Sequence, residues 1–416
     1  MKTNYLQKLA KLAVQGGVNV QNGQTVVLNS PIEAAELARA ISREAYAAGA
    51  KEVIIRYSDE QADHDRYLMA DPAIFEDCPA WKAVLYNDTA ENGACYIHID
   101  GGNPSLMADI NPSYPASESK AMRKKAALYR SRIDKGQAAW SIVPFAHPAW
   151  AKAVYPRLDE KAAVEQLWSD LFKVCRIDEN DPLENWKKHN ESFQNRKKKL
   201  NELHLKSLHY KNSLGTDLIV ELPENYRFEG GSSVLDTGIR FFPNIPTEEL
   251  FTAPLKTGVN GTVKASMPLS HSGTLIENIS LTFKDGKVAD YSASSGKDAL
   301  KAILETDENS CCLGEAALVP AGSPIQSLHR IFYNTLIDEN ASCHLALGQS
   351  YGECIENGLT MTPDELEKLG MNQSAAHVDF MIGTDDLNIT GLTADGQEVP
   401  IFVNGKYADW IDQKNQ

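Results

Sequence analysis

Long apolar runs are missing from this sequence. No stretch approaches the roughly 18 residues that cross a bilayer, so no membrane-spanning segment is expected. The opening, MKTNYLQKLAKLAVQGG, lacks both an uninterrupted apolar stretch and a small-residue cleavage site. It reads as a short amphipathic helix rather than a secretory signal. Cysteine is sparse: seven stand at 78, 95, 175, 311, 312, 343 and 354, without CxxC spacing. That pattern disfavours a disulfide framework and thiolate-held zinc, and points to a reducing cytoplasm. Basic residues are in deficit, 41 against 56 acidic, and the net charge of −15 argues against nucleic acid or an anionic membrane as partner. No GxGxxG follows the first strand, so no dinucleotide site is expected. Internal repeats and low-complexity segments are also absent. What remains is an ordinary globular chain of 416 residues, 43% hydrophobic and 23% charged, with room for two domains.

Strand and helix signals alternate over the first two hundred residues. Residues 24–29 (QTVVLN) read as a strand, Ser30-Pro31 as a helix start, 34–48 as an alanine-rich helix ending at Gly49, and 51–57 as the next strand. That order within about 35 residues is a βαβ unit. Helices at 80–91 and 116–130 alternate with strands at 94–99 and 138–143. An α/β N-terminal domain on an open, mostly parallel sheet follows. Residues 160–203 are helical and charged, and their run Arg196-Lys197-Lys198-Lys199 reads as a solvated helix face. Strands at 205–212 and 216–222, hairpin signals at Asp285-Gly286 and Asp395-Gly396, and helices at 295–306 and from Thr362-Pro363 make up a mixed second half. The expected division is an α/β domain over 1–205 and an α+β domain over 206–416.

The second half concentrates carboxylates and imidazoles in strands and loops. Two prolines frame Glu248-Glu249 in Asn244–Pro254, so that pair does not sit inside a helix. Glu315 stands near the start of an otherwise apolar strand, and can be read as an edge or ion-paired glutamate as well as a ligand. Glu339 and His344 are five apart, about 140° around a helix, so they converge only from a loop or helix start. His377-Val378-Asp379 on a strand puts both side chains on one face. Taken alone, that pair is structural or metal-binding. Together the stretches offer Glu249, Glu315, Glu339, His344, His377 and Asp379. Four clustered carboxylates repel unless protonated or neutralised. Two divalent cations would balance them and leave two neutral imidazole ligands, the balance of a two-metal hydrolase. Oxygen and imidazole donors suit zinc, cobalt, manganese or magnesium.

In order, these stretches resemble the thermophilic metalloaminopeptidase family, the group of the aminopeptidase T and aminopeptidase S enzymes. The resemblance lies in N-x-P-T-E-E-x-F-T-x-P at Asn244–Pro254, L-G-E-x-A at Leu313–Ala317, D-E-N-A-x-C-H at Asp338–His344 and H-x-D-F-M-I-G at His377–Gly383. Segments at 45–53, 206–210 and 215–218 extend it over most of the chain. It departs only in neighbours: Ile245, Leu250 and Phe228-Glu229, which bears on side-chain preference. The resemblance implies a metal-dependent aminopeptidase whose domain 206–416 carries the metal site, with two divalent ions, zinc or cobalt before manganese or magnesium. It implies ligands at Glu249, Glu315, Glu339, His344, His377 and Asp379, Tyr351 in the active site, and a homodimer acting on short peptides with a free N-terminus.

Glu248 is the candidate general base, or else an outward-facing glutamate. Tyr351 is the candidate donor to the tetrahedral oxyanion, or else an aromatic wall. Glu315 is the candidate shared ligand. His64, His98, His147, His189, His204, His271 and His329 lie outside these motifs and read as core or surface residues, while His209 has no evident chemical role. Cys343, and the Cys311-Cys312 pair, read as packing. The competing readings are another two-metal amidohydrolase and a non-enzymatic metal-binding protein.

Overall fold

The computed structural model describes residues 2–177 and 181–413. Its chain divides into Met1–Lys188 with Ser232–Pro246, and His189–Gly231 with Thr247–Gln416. In the first unit, four parallel strands form a sheet: β1 (Thr25–Pro31), β2 (Glu52–Ser58), β3 (Cys95–Asp100) and β4 (Trp140–Pro144), in the order β2-β1-β3-β4. Val26, Val27 and Leu28 are fully buried, as the short apolar run dictates. The alanine-rich helix Ala35–Ala47 buries Leu37, Ala38, Ala40, Ile41 and Ala45 along one stripe. Pro31 ends β1 instead of opening this helix, and a 3-10 turn, Ile32–Ala34, intervenes. The expected helix at 116–130 is two helices, Ser113–Lys125 and Ala127–Asp134, broken where Ala126 leaves helical geometry at φ −91, ψ 37. Helix Glu60–Met69, capped by the Asp59 carboxylate, buries no residue and so carries no amphipathic signal.

One ion cluster in this unit makes a pH prediction. Glu118 accepts from Arg66 (2.6 and 3.0 Å), Lys82 (2.9 Å) and Tyr67 (2.8 Å). Burial by itself pushes its carboxyl up, but these three donors outweigh it and hold it down to about 2. A pKa lowered on folding stabilises above the unfolded value and is lost as pH falls through the folded one. Glu118→Gln is therefore expected to cost about 1 kcal/mol at pH 7, allowing for solvent screening of half-buried partners. The gap to wild type should narrow below pH 4.5 and close near pH 2; urea unfolding at several pH values measures it. A pH-independent gap would place the effect in packing.

The second unit contains an eight-stranded antiparallel sheet and a separate four-stranded one. Asp285 and Gly286 both have positive φ (51° and 85°) in the turn joining Ser280–Lys284 to Lys287–Ser292, the geometry that favours Asp-Gly in two-residue hairpins. Asp395-Gly396 turns between Asn388–Thr393 and Glu398–Val403. Thr362 caps Pro363–Lys368 through a reciprocal box with Glu365. Of the basic run only Lys198 is an exposed, solvated side chain. Arg196 pairs with Asp412, Lys197 with Glu229 and Lys198 with Glu202, while Lys199 donates to the carbonyls of Trp410 and Ile411. Apart from Glu202, four residues on along the chain, these acidic and carbonyl groups are brought in by the fold and are invisible in a local window. His209 pairs with Asp217 at 2.6 Å in the Leu205–Lys211 and Asp217–Glu221 hairpin. All seven cysteines are unbridged; Cys312 is buried, whereas Cys311 is partly exposed rather than core. Among the described residues no helix is long and apolar enough to cross a membrane.

Candidate metal centre

The four-stranded sheet places the chemistry. Its strands lie in the order His377–Met381, His344–Gly348, Leu313–Leu318, Leu250–Thr252, all antiparallel. Alternation divides each strand between two faces. Ala316, Leu318, Leu345, Leu347, Val378 and Phe380 join the unit's main hydrophobic cluster. The other face carries Glu315, His344, His377 and Asp379. Register aligns Glu315 with Ala346 and Ala346 with Asp379, and Gly348 with His377. At these two positions the strand that also bears His344 offers only a methyl group and a hydrogen beside its neighbours' donors. Gly348 is required there: its φ is +104°, and a Cβ would stand 2.2 Å from the Ala376 carbonyl oxygen.

Two groups of donor atoms converge on this face. Glu249, Glu315 and His344 form one, Glu315, His377 and Asp379 the other, each with its donor atoms within 4.8 Å of one another. Glu315 belongs to both. Its Oε1 lies 3.5 Å from His344 Nε2 and its Oε2 3.5 Å from His377 Nε2. His377 Nε2 is also 3.4 Å from Asp379 Oδ1. Two ligands on one tetrahedral ion, at about 2.0–2.1 Å each, stand about 3.3 Å apart, so these spacings suit a shared cation. Both imidazoles are pre-oriented. His344 Nδ1 meets the Ser342 carbonyl at 3.2 Å and His377 Nδ1 the Gln349 carbonyl at 2.8 Å. A carbonyl only accepts, so each Nδ1 carries its hydrogen and each Nε2 is turned to the carboxylates. His344 Nε2 and Glu249 Oε2 are buried 2.9 Å apart with no aligned hydrogen bond between them. A cation resolves that contact, and the donor set fits a divalent one.

The electrostatics agree. Burial raises the pKa values of Glu315 and Glu339, and the Glu249 and Asp379 charges add to both shifts. Burial opposes charge on His344 and His377, yet their carboxylates prevail: His344 rises well above its usual value and His377 reaches about 9. Burial would raise Asp379, but His377 and His344 hold it down. Carboxylates in need of positive charge, and imidazoles supplying it in the absence of metal, are the expected state of such a cluster.

The remaining expected residues sit around it. Glu339 opens the 3-10 turn Glu339–Ala341 and is outside both groups, although the cluster's carboxylates act on its charge. The Tyr351 ring lies against that of His377, tilted by 44° with centroids 4.7 Å apart. Burial and then Glu315 and Asp379 raise its pKa, so its hydroxyl remains a donor. Glu248 is buried, not outward-facing; its N–H donates to Asn340 Oδ1 at 2.6 Å. Its Oε2 lies 3.8 Å from Nε2 of His189, a histidine that no motif marks. Cys343 is no nucleophile. Its thiol donates to the Val319 carbonyl, and burial pushes its pKa up to about 12.

The two donor groups are candidate metal-ligand clusters, and oxygen and imidazole donors of this kind are those that divalent cations take. The chain belongs to the thermophilic metalloprotease (M29) family, whose pattern matches residues 2–407. It is 44% identical over 403 residues to "Aminopeptidase 2" of Geobacillus stearothermophilus, covering 97% of each chain. It is 43% identical over 408 residues to "Aminopeptidase AmpS" of Bacillus subtilis (strain 168), covering 97% of this chain and 99% of that one. The structure titled "Wild-type AmpT from Thermus thermophilus" superposes with a TM-score of 0.90 at 36% identity, covering 98% of this chain and 100% of that one.

Proposed function

We propose that this metalloaminopeptidase removes single residues from the free N-terminus of short peptides, using two divalent ions held by residues of the domain 206–416. The single observation behind the two-ion reading is Glu315, whose two oxygens each face a different imidazole at 3.5 Å. Glu249 and His344 would complete one position, and His377 and Asp379 the other, with Glu339 at the margin. Divalent ions, zinc or cobalt before manganese or magnesium, would supply positive charge that acidifies water and polarises the scissile carbonyl. Glu248 would take the proton from water and return it to the leaving amine, a role open to a buried carboxylate next in sequence to the donor Glu249. The Tyr351 hydroxyl would donate to the developing oxyanion. The family resemblance extends the proposal to a cytoplasmic homodimer, and sedimentation of the purified protein measures the oligomer.

Release of free amino acid from matched unblocked and N-acetylated dipeptides and tripeptides, with added zinc, cobalt or manganese, tests the reaction. Metal-dependent release from the unblocked series alone is expected. Comparable cleavage of the acetylated series would sink the aminopeptidase reading in favour of a general amidohydrolase.

A further inference from the structure

The peptide unit joining Thr247 to Glu248 is held at both of its polar ends by side chains from distant parts of the sequence. Its carbonyl oxygen accepts from His189 Nε2 at 2.8 Å, and its N–H donates to Asn340 Oδ1 at 2.6 Å. Asn340 is fully buried and is itself anchored, donating through Nδ2 to the Leu336 carbonyl at 2.9 Å. His189 is fixed on the other side by the Phe193 ring, edge-on at 4.6 Å one helical turn away. Loop backbone is usually held by its own turns or by water. Here two side chains fix the plane from which Glu248 and Glu249 emerge in succession. The same imidazole nitrogen lies 3.8 Å from Glu248 Oε2. That is beyond a direct hydrogen bond, but close enough to limit where the carboxylate goes.

From this we propose that His189 is a positioning residue for Glu248: by donating to the Thr247 carbonyl and flanking the Glu248 carboxylate, it sets the direction in which that base meets the substrate's water. The proposal rests on the reading of Glu248 as the base. It assigns His189 no contact with substrate or with the reacting atoms. Its effect is therefore on turnover and not on substrate affinity. Outer partners that orient catalytic groups at metal sites commonly matter by 10- to 100-fold.

The test compares His189→Phe, which keeps a ring against Phe193 but loses the donor, with His189→Gln, which keeps an N–H near the same place. Both are made also in a Glu248→Gln background. With cobalt-loaded protein and an unblocked dipeptide, His189→Phe is expected to lower kcat by about 10- to 100-fold, with KM within about twofold and the number of bound cobalt ions unchanged. His189→Gln should recover most of the loss. In the Glu248→Gln background, His189→Phe should add almost nothing, because both changes disable one unit. A kcat within twofold of wild type, or an undiminished fall in the Glu248→Gln background, would overturn the proposal. Amide exchange separates this outcome from failure of the aminopeptidase reading. If the parent protein releases nothing from any unblocked peptide, that reading fails. The positioning role is then decided by whether His189→Phe deprotects residues 244–252 while the rest of the fold stays protected. Loss of protection confined to that segment supports it, and unchanged protection overturns it.

Discussion

Glu315→Gln is expected to lower kcat/KM on an unblocked dipeptide by on the order of 10³-fold, the equivalent of roughly 4 kcal/mol in transition-state stabilisation. The substitution preserves volume and shape, so the buried strand Leu313–Leu318 should still pack. What changes is charge and one donor atom. In the wild-type protein each carboxylate oxygen faces an imidazole Nε2 at 3.5 Å. In the variant one of those positions is an NH₂ group, which cannot bind a cation and points a hydrogen at its intended ligand. Because Glu315 belongs to both donor groups, both are damaged at once. Glu339→Gln supplies the comparison. Its carboxylate lies outside both groups although the cluster's charges act on it, so as a ligand of one ion at most it is expected to give a smaller fall than the shared Glu315, about 10- to 100-fold. Steady-state kinetics together with equilibrium dialysis against radioactive zinc measure both. Equal losses in the two variants would contradict the ranking that the geometry makes.

Stripping the protein with a chelator is expected to abolish turnover and to lower the melting temperature. The site lies on one face of a sheet whose other face is core: Leu345, Leu347, Val378 and Phe380 are packed directly behind the donors. Without cations, Glu249, Glu315 and Asp379 share that surface with only two imidazoles for compensation. Ions at 100 to 1,000 times their dissociation constant stabilise the native state by about 3–4 kcal/mol. In a unit of this size that corresponds to roughly 6–15 °C. Calorimetry before and after dialysis against EDTA, and again after adding zinc, measures the shift. Activity lost with no change in melting temperature would mean that the cations are held too weakly to belong to the fold.

The sequence carried the site further than it carried the fold around it. HxD on a strand was legible because period-two alternation is local, and His377 and Asp379 do share a face. Glu315 was legible because a charged residue in an apolar strand stands out, and it lies fully within a strand buried at every position. Their convergence was suggested by the order of four motifs. It is produced by register, through Ala346 and Gly348, which no spacing rule marks. His189 escaped because its partner Thr247 is 58 residues away and its helix has no motif. Helix Glu60–Met69 escaped for the opposite reason: with nothing buried, it lacks the periodicity by which helices are read. Of the cations at 196–199, Lys198 is the solvated residue that the local pattern suggests, whereas Asp412, Glu229 and the carbonyls at 410–411 reach the other three only through tertiary structure.

The same backbone that carries donors on one side carries core on the other, and this limits how such a chain can drift in length. Slipping the His377–Met381 strand by one residue against His344–Gly348 would turn Val378 and Phe380 toward the cation face and His377 and Asp379 into the hydrocarbon interior. Insertions and deletions between the ligand-bearing strands must therefore fall in the connecting segments 319–343 and 349–376, away from Glu339, Asn340 and Tyr351, where they leave the pairing alone. A library of single-codon deletions across 313–381 should return active clones only from those connections, with a gap at each strand.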